Sequence, residues 1–173
     1  MHRHGDEPWR TVSTLPSQNV IDATDARLLL ALSEHPRATT VALADQVGIS
    51  RNTAQARLAK LEEGGGLSSF ERRVDTRSLG YPMTVFAVVQ VVQSRLDQVA
   101  AALADIPEVL QVHSVSGPND LVVHAVAVDA DDLYRIAGQI LAIPGVQRTN
   151  TSVVTREIVP YRTGPLLRRL AKS

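Results

Sequence analysis

An internal repeat constrains this chain more than any other feature. Ile106-Pro107-Glu108-Val109 returns as Ile143-Pro144-Gly145-Val146, an offset of 37 residues. The same offset carries Val89 onto Val126, Leu96 onto Leu133, Val99 onto Ile136 and Leu103 onto Ile140. Each copy reads as a strand, an amphipathic helix, a proline-marked turn and a second strand. Two copies in series make β-α-β-β-α-β, the ferredoxin-like arrangement. The pattern predicts strands near 84–93, 108–116, 120–128 and 146–159, and helices near 95–105 and 130–142. Val85 to Val92 is β-branched and almost wholly apolar, as a buried strand requires. Two helices cover only one face of such a sheet. The apolar content of the strands predicts that a second copy of the chain covers the other, making a homodimer.

The first half has a different period. Leu28, Leu29 and Leu32 repeat at helical spacing behind capping residues Asp22 and Asp25, and Pro36 ends that helix. Thr39 caps a second helix running through Val47, with Val41, Leu43, Ala44 and Val47 on its apolar side, and Gly48 breaks it. Ser50 caps a third helix to about Glu63, with Ala54, Leu58 and Leu61 inward, which the run Gly64-Gly65-Gly66 stops. Leu67 to Val74 reads as a short hairpin or wing. The expected division is a flexible tail over 1–20, a helix-turn-helix domain over 21–75, a linker over 76–83, a ferredoxin-like domain over 84–160 and a basic tail over 161–173. The fold class is therefore α+β, a winged helix-turn-helix followed by a βαββαβ domain.

The turn between the second and third helices carries the chemistry. Ala44 is small enough to let two helices cross closely, and Gly48 can adopt the positive φ of the turn. Leu43, Val47, Ile49 and Leu58 seal the wedge. The outer side of the third helix then holds Ser50, Arg51, Asn52, Thr53, Gln55, Arg57 and Lys60, joined by Thr40 at the start of the second. Arginine pairs with guanine, Asn and Gln pair with adenine, and hydroxyls reach phosphates. Arg72 and Arg73 in the wing add backbone contacts. Residues 22–75 hold seven Arg/Lys against eight Asp/Glu, so a lone domain is a weak DNA binder. A dimer presenting two third helices compensates for that.

Other classes fit poorly. There are no cysteines, which removes disulfides and thiolate metal sites. No apolar run approaches the roughly 20 residues of a membrane span. The polar first residues lack the apolar core of a secretory signal, so the expected location is the cytoplasm. An RNA-binding use of the sheet needs stacking aromatics, and the expected strands offer only Phe86. His113 and His124 fall on adjacent strands and give an enzymatic reading its one foothold. No catalytic triad, metal-ligand cluster or phosphate-cradling glycine motif accompanies them, and no cofactor is expected.

Three stretches together resemble the Lrp/AsnC, or feast/famine, regulators. They are Asp22-x-x-Asp25-x-x-Leu28-Leu29-x-x-Leu32, Leu43-Ala44-x-x-Val47-Gly48-Ile49-Ser50 and Arg57-Leu58-x-x-Leu61-Glu62-x-x-Gly65. The resemblance extends over about residues 21–160. It implies a transcriptional regulator that binds double-stranded DNA, dimerises through its sheets and assembles into tetramers or octamers. It also implies a small effector, commonly an amino acid, bound in clefts between dimers. The family's glycine-containing loop between the second and third strands matches Ser116-Gly117-Pro118-Asn119-Asp120, and a second element on the last strand matches Thr149-x-Thr151. On that resemblance Asp120 would accept from an ammonium, while backbone N–H groups near Gly117 and the threonine hydroxyls would hold a carboxylate. Some chains of this kind resemble tetrapyrrole decarboxylases, which makes an enzyme the alternative. A sensor or assembly protein without DNA binding is another.

Overall fold

The computed structural model describes residues 21–68 and 74–173. The expected tail over 1–20 and the wing arginines Arg72 and Arg73 lie outside the described residues. The chain forms two units. One is built from residues after 74 up to Ile158. The other combines the first helices with Val159–Ser173.

The sheet unit follows the repeat. Its elements are β1 (Met83–Val91), α4 (Leu96–Ala104), β2 (Val109–Ser114), β3 (Leu121–Ala127), α5 (Ala130–Leu141) and β4 (Val146–Val153). Three helices, α1 (Ala23–Glu34), α2 (Thr40–Val47) and α3 (Arg51–Glu63), precede it in the chain. The sheet order is β2-β3-β1-β4, with every neighbouring pair antiparallel. The first strands of the two copies thus occupy the centre and the second strands the edges. Repeat-related positions are buried alike: Val99 with Ile136, and Leu103 with Ile140, all seal the helix-covered face. Ala87, Val89 and Val91 meet them from β1, and Leu121, Val123, Ala125 and Ala127 from β3. These alternate residues share one face because successive side chains of a strand point to opposite sides.

The two proline turns close in the same way. The Glu108 carbonyl accepts from the Val126 N–H at 2.9 Å, and the Gly145 carbonyl accepts from the Val92 N–H at 2.8 Å. Only the second turn demands glycine. Gly145 has φ of 111°, and a Cβ there would stand 2.9 Å from Arg95 Cβ. The last strand ends at Val153, well short of the 159 expected from its β-branched run. Beyond it, Val154 still donates to Thr84, but the regular pairing has stopped.

The other unit begins with the three helices of the turn motif. Asp22 and Asp25 form a reciprocal capping box on α1, with hydrogen bonds of 2.8 and 3.1 Å. Thr39 and Ser50 cap α2 and α3 through the N–H groups of Ala42 and Thr53. Gly48 has φ of 76°, the left-handed conformation the turn needs. Leu28, Ala31, Leu43, Ala44 and Ala54 form one small core, edged by Val47, Ile49 and Leu58.

The segment expected to be a basic tail is instead a helix, α6 (Gly164–Leu170), packed on α1. Leu167 is buried with Ala26, Leu29 and Leu61, and Leu170 and Ala171 border that cluster. Leu167 and Leu170, three residues apart, fall on one side of this short helix.

Candidate DNA-binding and effector-binding sites

Helix α3 sorts its residues as a reading helix must. Ala54 and Leu61 are buried and Leu58 half-buried on one side, while Arg51, Asn52, Thr53, Gln55 and Lys60 are exposed. Ala56 and Ala59 are small, so the helix surface beside these residues is low enough for a groove wall to come close. Ser50 stands at the helix start, where its oxygen accepts from the Thr53 N–H at 3.1 Å and lies 2.8 Å from the Thr53 hydroxyl. Thr40 is half-buried at the first position of α2.

Arg57 departs from the expected set. Its guanidinium donates to Asp22 and Asp25, both at 2.7 Å, tying α3 to the capping box of α1. Hydrogen bonding to Asp25, and then to Asp22, raises the Arg57 pKa above its ordinary range. Asp22 is held below its usual 3.8, first by the Asp25 N–H and then by Arg57. Arg57 therefore braces the reading helix rather than extending toward a groove. A helical wheel carries the signal, because Arg57 borders Leu58, Ala54 and Leu61 on the inward flank.

In the sheet unit the loop Ser116–Asp120 meets the end of β1. Asp120 donates its N–H to the Val89 carbonyl at 3.0 Å, and its Oδ2 accepts from the Val91 N–H at 2.8 Å. The Gln90 side chain donates to the Pro118 carbonyl at 2.6 Å. Gly117 has φ of 126°, so the loop turns through a conformation that favours glycine. Thr149 pairs with Val89 from the opposite side of β1, and Thr151 pairs with Ala87. The loop and Thr149 thus flank the same end of one central strand. Asp120 is not a free acceptor: one of its oxygens already satisfies a backbone N–H.

The face of the sheet turned away from α4 and α5 carries Phe86, Val88, Val122 and His124. Phe86 remains 43% exposed. Its ring stacks on His124 of the paired strand, with centroids 4.8 Å apart. His113 and Val122 are also paired, which places both histidines on this face. Burial lowers the His124 pKa, and the nearby charge of His113 lowers it further. The two histidines lie on a sheet surface beside an aromatic ring rather than in a pocket.

One cluster escaped sequence reasoning. Arg135 of α5 is paired with Asp132 at 2.6 Å and with Glu108, whose side chain is only 10% exposed. Among the described residues, the Glu108 Oε2 has no hydrogen-bond partner. The signal was present: Glu108 is where the second copy of the repeat has Gly145.

The class follows from these features. A capped helix-turn-helix with a polar reading helix, and a βαββαβ domain, define a two-unit DNA-binding regulator. Residues 21–62 match the AsnC-type helix-turn-helix domain, and residues 84–163 match the Lrp/AsnC ligand binding domain. The HTH-type transcriptional regulator Rv2324 of Mycobacterium tuberculosis is 32% identical over 142 residues, covering 80% of this chain and 95% of that protein. The HTH-type transcriptional regulator FL11 of Pyrococcus horikoshii is 29% identical over 136 residues, covering 79% of this chain and 90% of that one. Among solved structures, a Neisseria meningitidis transcriptional regulator in complex with L-methionine superposes with a TM-score of 0.71 at 26% identity. That match covers 81% of this chain and 93% of the other. AsnC of Escherichia coli shares the fold with a TM-score of 0.75 at 24% identity, over 84% and 99% of the two chains. This chain belongs to the Lrp/AsnC family and is a helix-turn-helix transcriptional regulator, not an enzyme.

Proposed function

We propose that the protein binds a pseudo-palindromic DNA site as a dimer or larger assembly, reading bases with α3 and tuned by an amino acid. One observation carries the DNA half of this reading: Arg51, Asn52, Gln55 and Lys60 stand exposed on the helix that follows the turn. Arg51 and Asn52 lie in its first turn, the part of a reading helix that enters the major groove. The sheet face turned away from α4 and α5 supports the dimer, because Phe86, Val88 and Val122 there gain most by meeting a second copy. Assembly beyond the dimer, to tetramers or octamers, brings loop 116–120 and Thr149 to clefts between dimers. No described helix is long and apolar enough to cross a membrane, and DNA binding places the protein in the cytoplasm.

The relative solved with L-methionine supports an amino-acid effector. In this chain the remaining Asp120 oxygen faces the ammonium. The N–H groups around Gly117 and the hydroxyls of Thr149 and Thr151 face the carboxylate. The effector acts by preferring one assembly over another, which is the condition for coupling its binding to DNA affinity.

Mobility-shift titrations on the gene's own upstream region test the DNA reading. Arg51→Ala with Asn52→Ala should abolish discrimination between that region and unrelated duplex. Equal discrimination by the variant would refute the assignment of α3. Light scattering should show a dimer or larger species at micromolar concentration, and a monomer would end the assembly reading. Calorimetry with a panel of amino acids tests the effector.

A further inference from the structure

We propose that α6 is a fourth helix of the DNA-binding unit, and that Arg168, Arg169 and Lys172 use it as a mount from which to reach DNA phosphates. The inference rests on the DNA-binding reading and extends it to a surface outside the turn motif. Residues beyond 163 also lie outside the matched ligand binding domain.

A seven-residue helix does not persist alone in water, since its nucleation cost exceeds what so few hydrogen bonds return. Here its stability comes from Leu167, which is 8% exposed and packed with Ala26 and Leu29 of α1 and Leu61 of α3. Leu61 belongs to the reading helix itself, so α6 is seated against the element that engages DNA. Pro165 at the start supplies a preset φ where its missing N–H costs nothing.

Residues 22–75 hold seven Arg/Lys and eight Asp/Glu, a poor balance for a polyanionic partner. Val159–Ser173 adds Arg162, Arg168, Arg169 and Lys172 and no acid. Docking therefore turns a slightly acidic unit into a basic one. Arg168, Arg169 and Lys172 are exposed, while Leu167 and Leu170 face the helices beneath. None of the three takes part in an ion pair among the described residues. A helix that buries Leu167 and presents exposed cations suits the phosphate backbone, a dense row of negative charge.

The test compares wild type with a variant carrying Arg168→Gln, Arg169→Gln and Lys172→Gln, by fluorescence anisotropy on the cognate upstream duplex and an unrelated one across a salt series. The expected result is a loss on the order of tenfold at low salt, equal for both duplexes, with unchanged melting. The slope of log affinity against log salt should shrink by about 0.9 for each phosphate that is no longer neutralised. Unchanged slope and affinity would overturn the proposal. Leu167→Asp, which undocks the helix, should weaken both duplexes as well. If Leu167→Asp weakens binding while the glutamine variant binds as wild type, α6 is only a structural prop and the phosphate role falls. Absence of binding by wild type at every salt would remove the DNA reading itself, and the proposal with it. A defect confined to the variants cannot be mistaken for that outcome.

Discussion

Among the described residues, each unit holds one arginine shared between two carboxylates, and the two clamps differ in where the carboxylates sit. Arg57 bridges Asp22 and Asp25 at the surface of the DNA-binding unit, where Asp22 is half-exposed. Arg135 bridges Asp132 and a buried Glu108 beneath the sheet unit's edge. Exposed ion pairs contribute little, because water solvates either partner after a break. A buried carboxylate has no such refuge, so losing its partner is costly. The DNA-binding unit is thus braced for orientation and the sheet unit for integrity. The cores differ in the same sense. The sheet unit has one large cluster running through its central strands and both helices, whereas the helical unit divides its apolar residues between two small ones.

The largest effects should come from those cores. Leu103→Ala in the sheet unit and Leu28→Ala in the helical unit remove fully buried side chains, and each should cost about 2–5 kcal/mol. Hydrogen exchange resolved along the chain should show each loss confined to its own unit. Loss of protection spread equally over both would erase the distinction between them.

Arg135→Ala should come next. It strands the Glu108 carboxylate beneath α5, and thermal unfolding of the sheet unit should begin clearly earlier than in wild type. Glu108→Leu removes the charge and fills the space, so it should be milder than Arg135→Ala. The reverse order would mean that the clamp, rather than the unpaired charge, sets the stability.

Arg57→Met should have a smaller effect on stability, about 1 kcal/mol or less, because its partners are partly solvated. If Arg51, Asn52, Gln55 and Lys60 read the bases and Arg57 only braces their helix, DNA affinity should fall while the base preference persists. A change in preferred sequence would instead return Arg57 to the set of base-reading residues.

The smallest effect separates the units by pH. The folded His124 pKa lies below its ordinary 6.5, so the unfolded chain takes up that proton first. The associated stability is present above about pH 6.5 and is lost as the pH falls below it. Asp22 is also depressed, from 3.8, and its contribution holds until the pH drops below that value. Between about pH 7.5 and 5.5 melting of the sheet unit should therefore fall slightly and that of the helical unit should not. His124→Gln should flatten the difference.

The local features of the fold were legible because they obey short-range rules. The caps at Asp22, Thr39 and Ser50, the break at Gly48 and the inward set Ala54, Leu58 and Leu61 depend only on neighbours within a turn or two. The repeat made the sheet topology legible too, since matched apolar positions 37 residues apart imply matched environments. Three features were completed only by tertiary structure. Arg57 met carboxylates far earlier in the chain, at separations of 32 and 35 residues. Asp120 was drawn to the Val91 N–H by the register of β1 against β3. The last residues became a helix because α1 and Leu61 offered Leu167 a place to be buried. The sequence by itself determined periods, caps and breaks, which are energies of adjacent residues. Partners distant along the chain were chosen by packing, because such pairings exist only once the elements have come together.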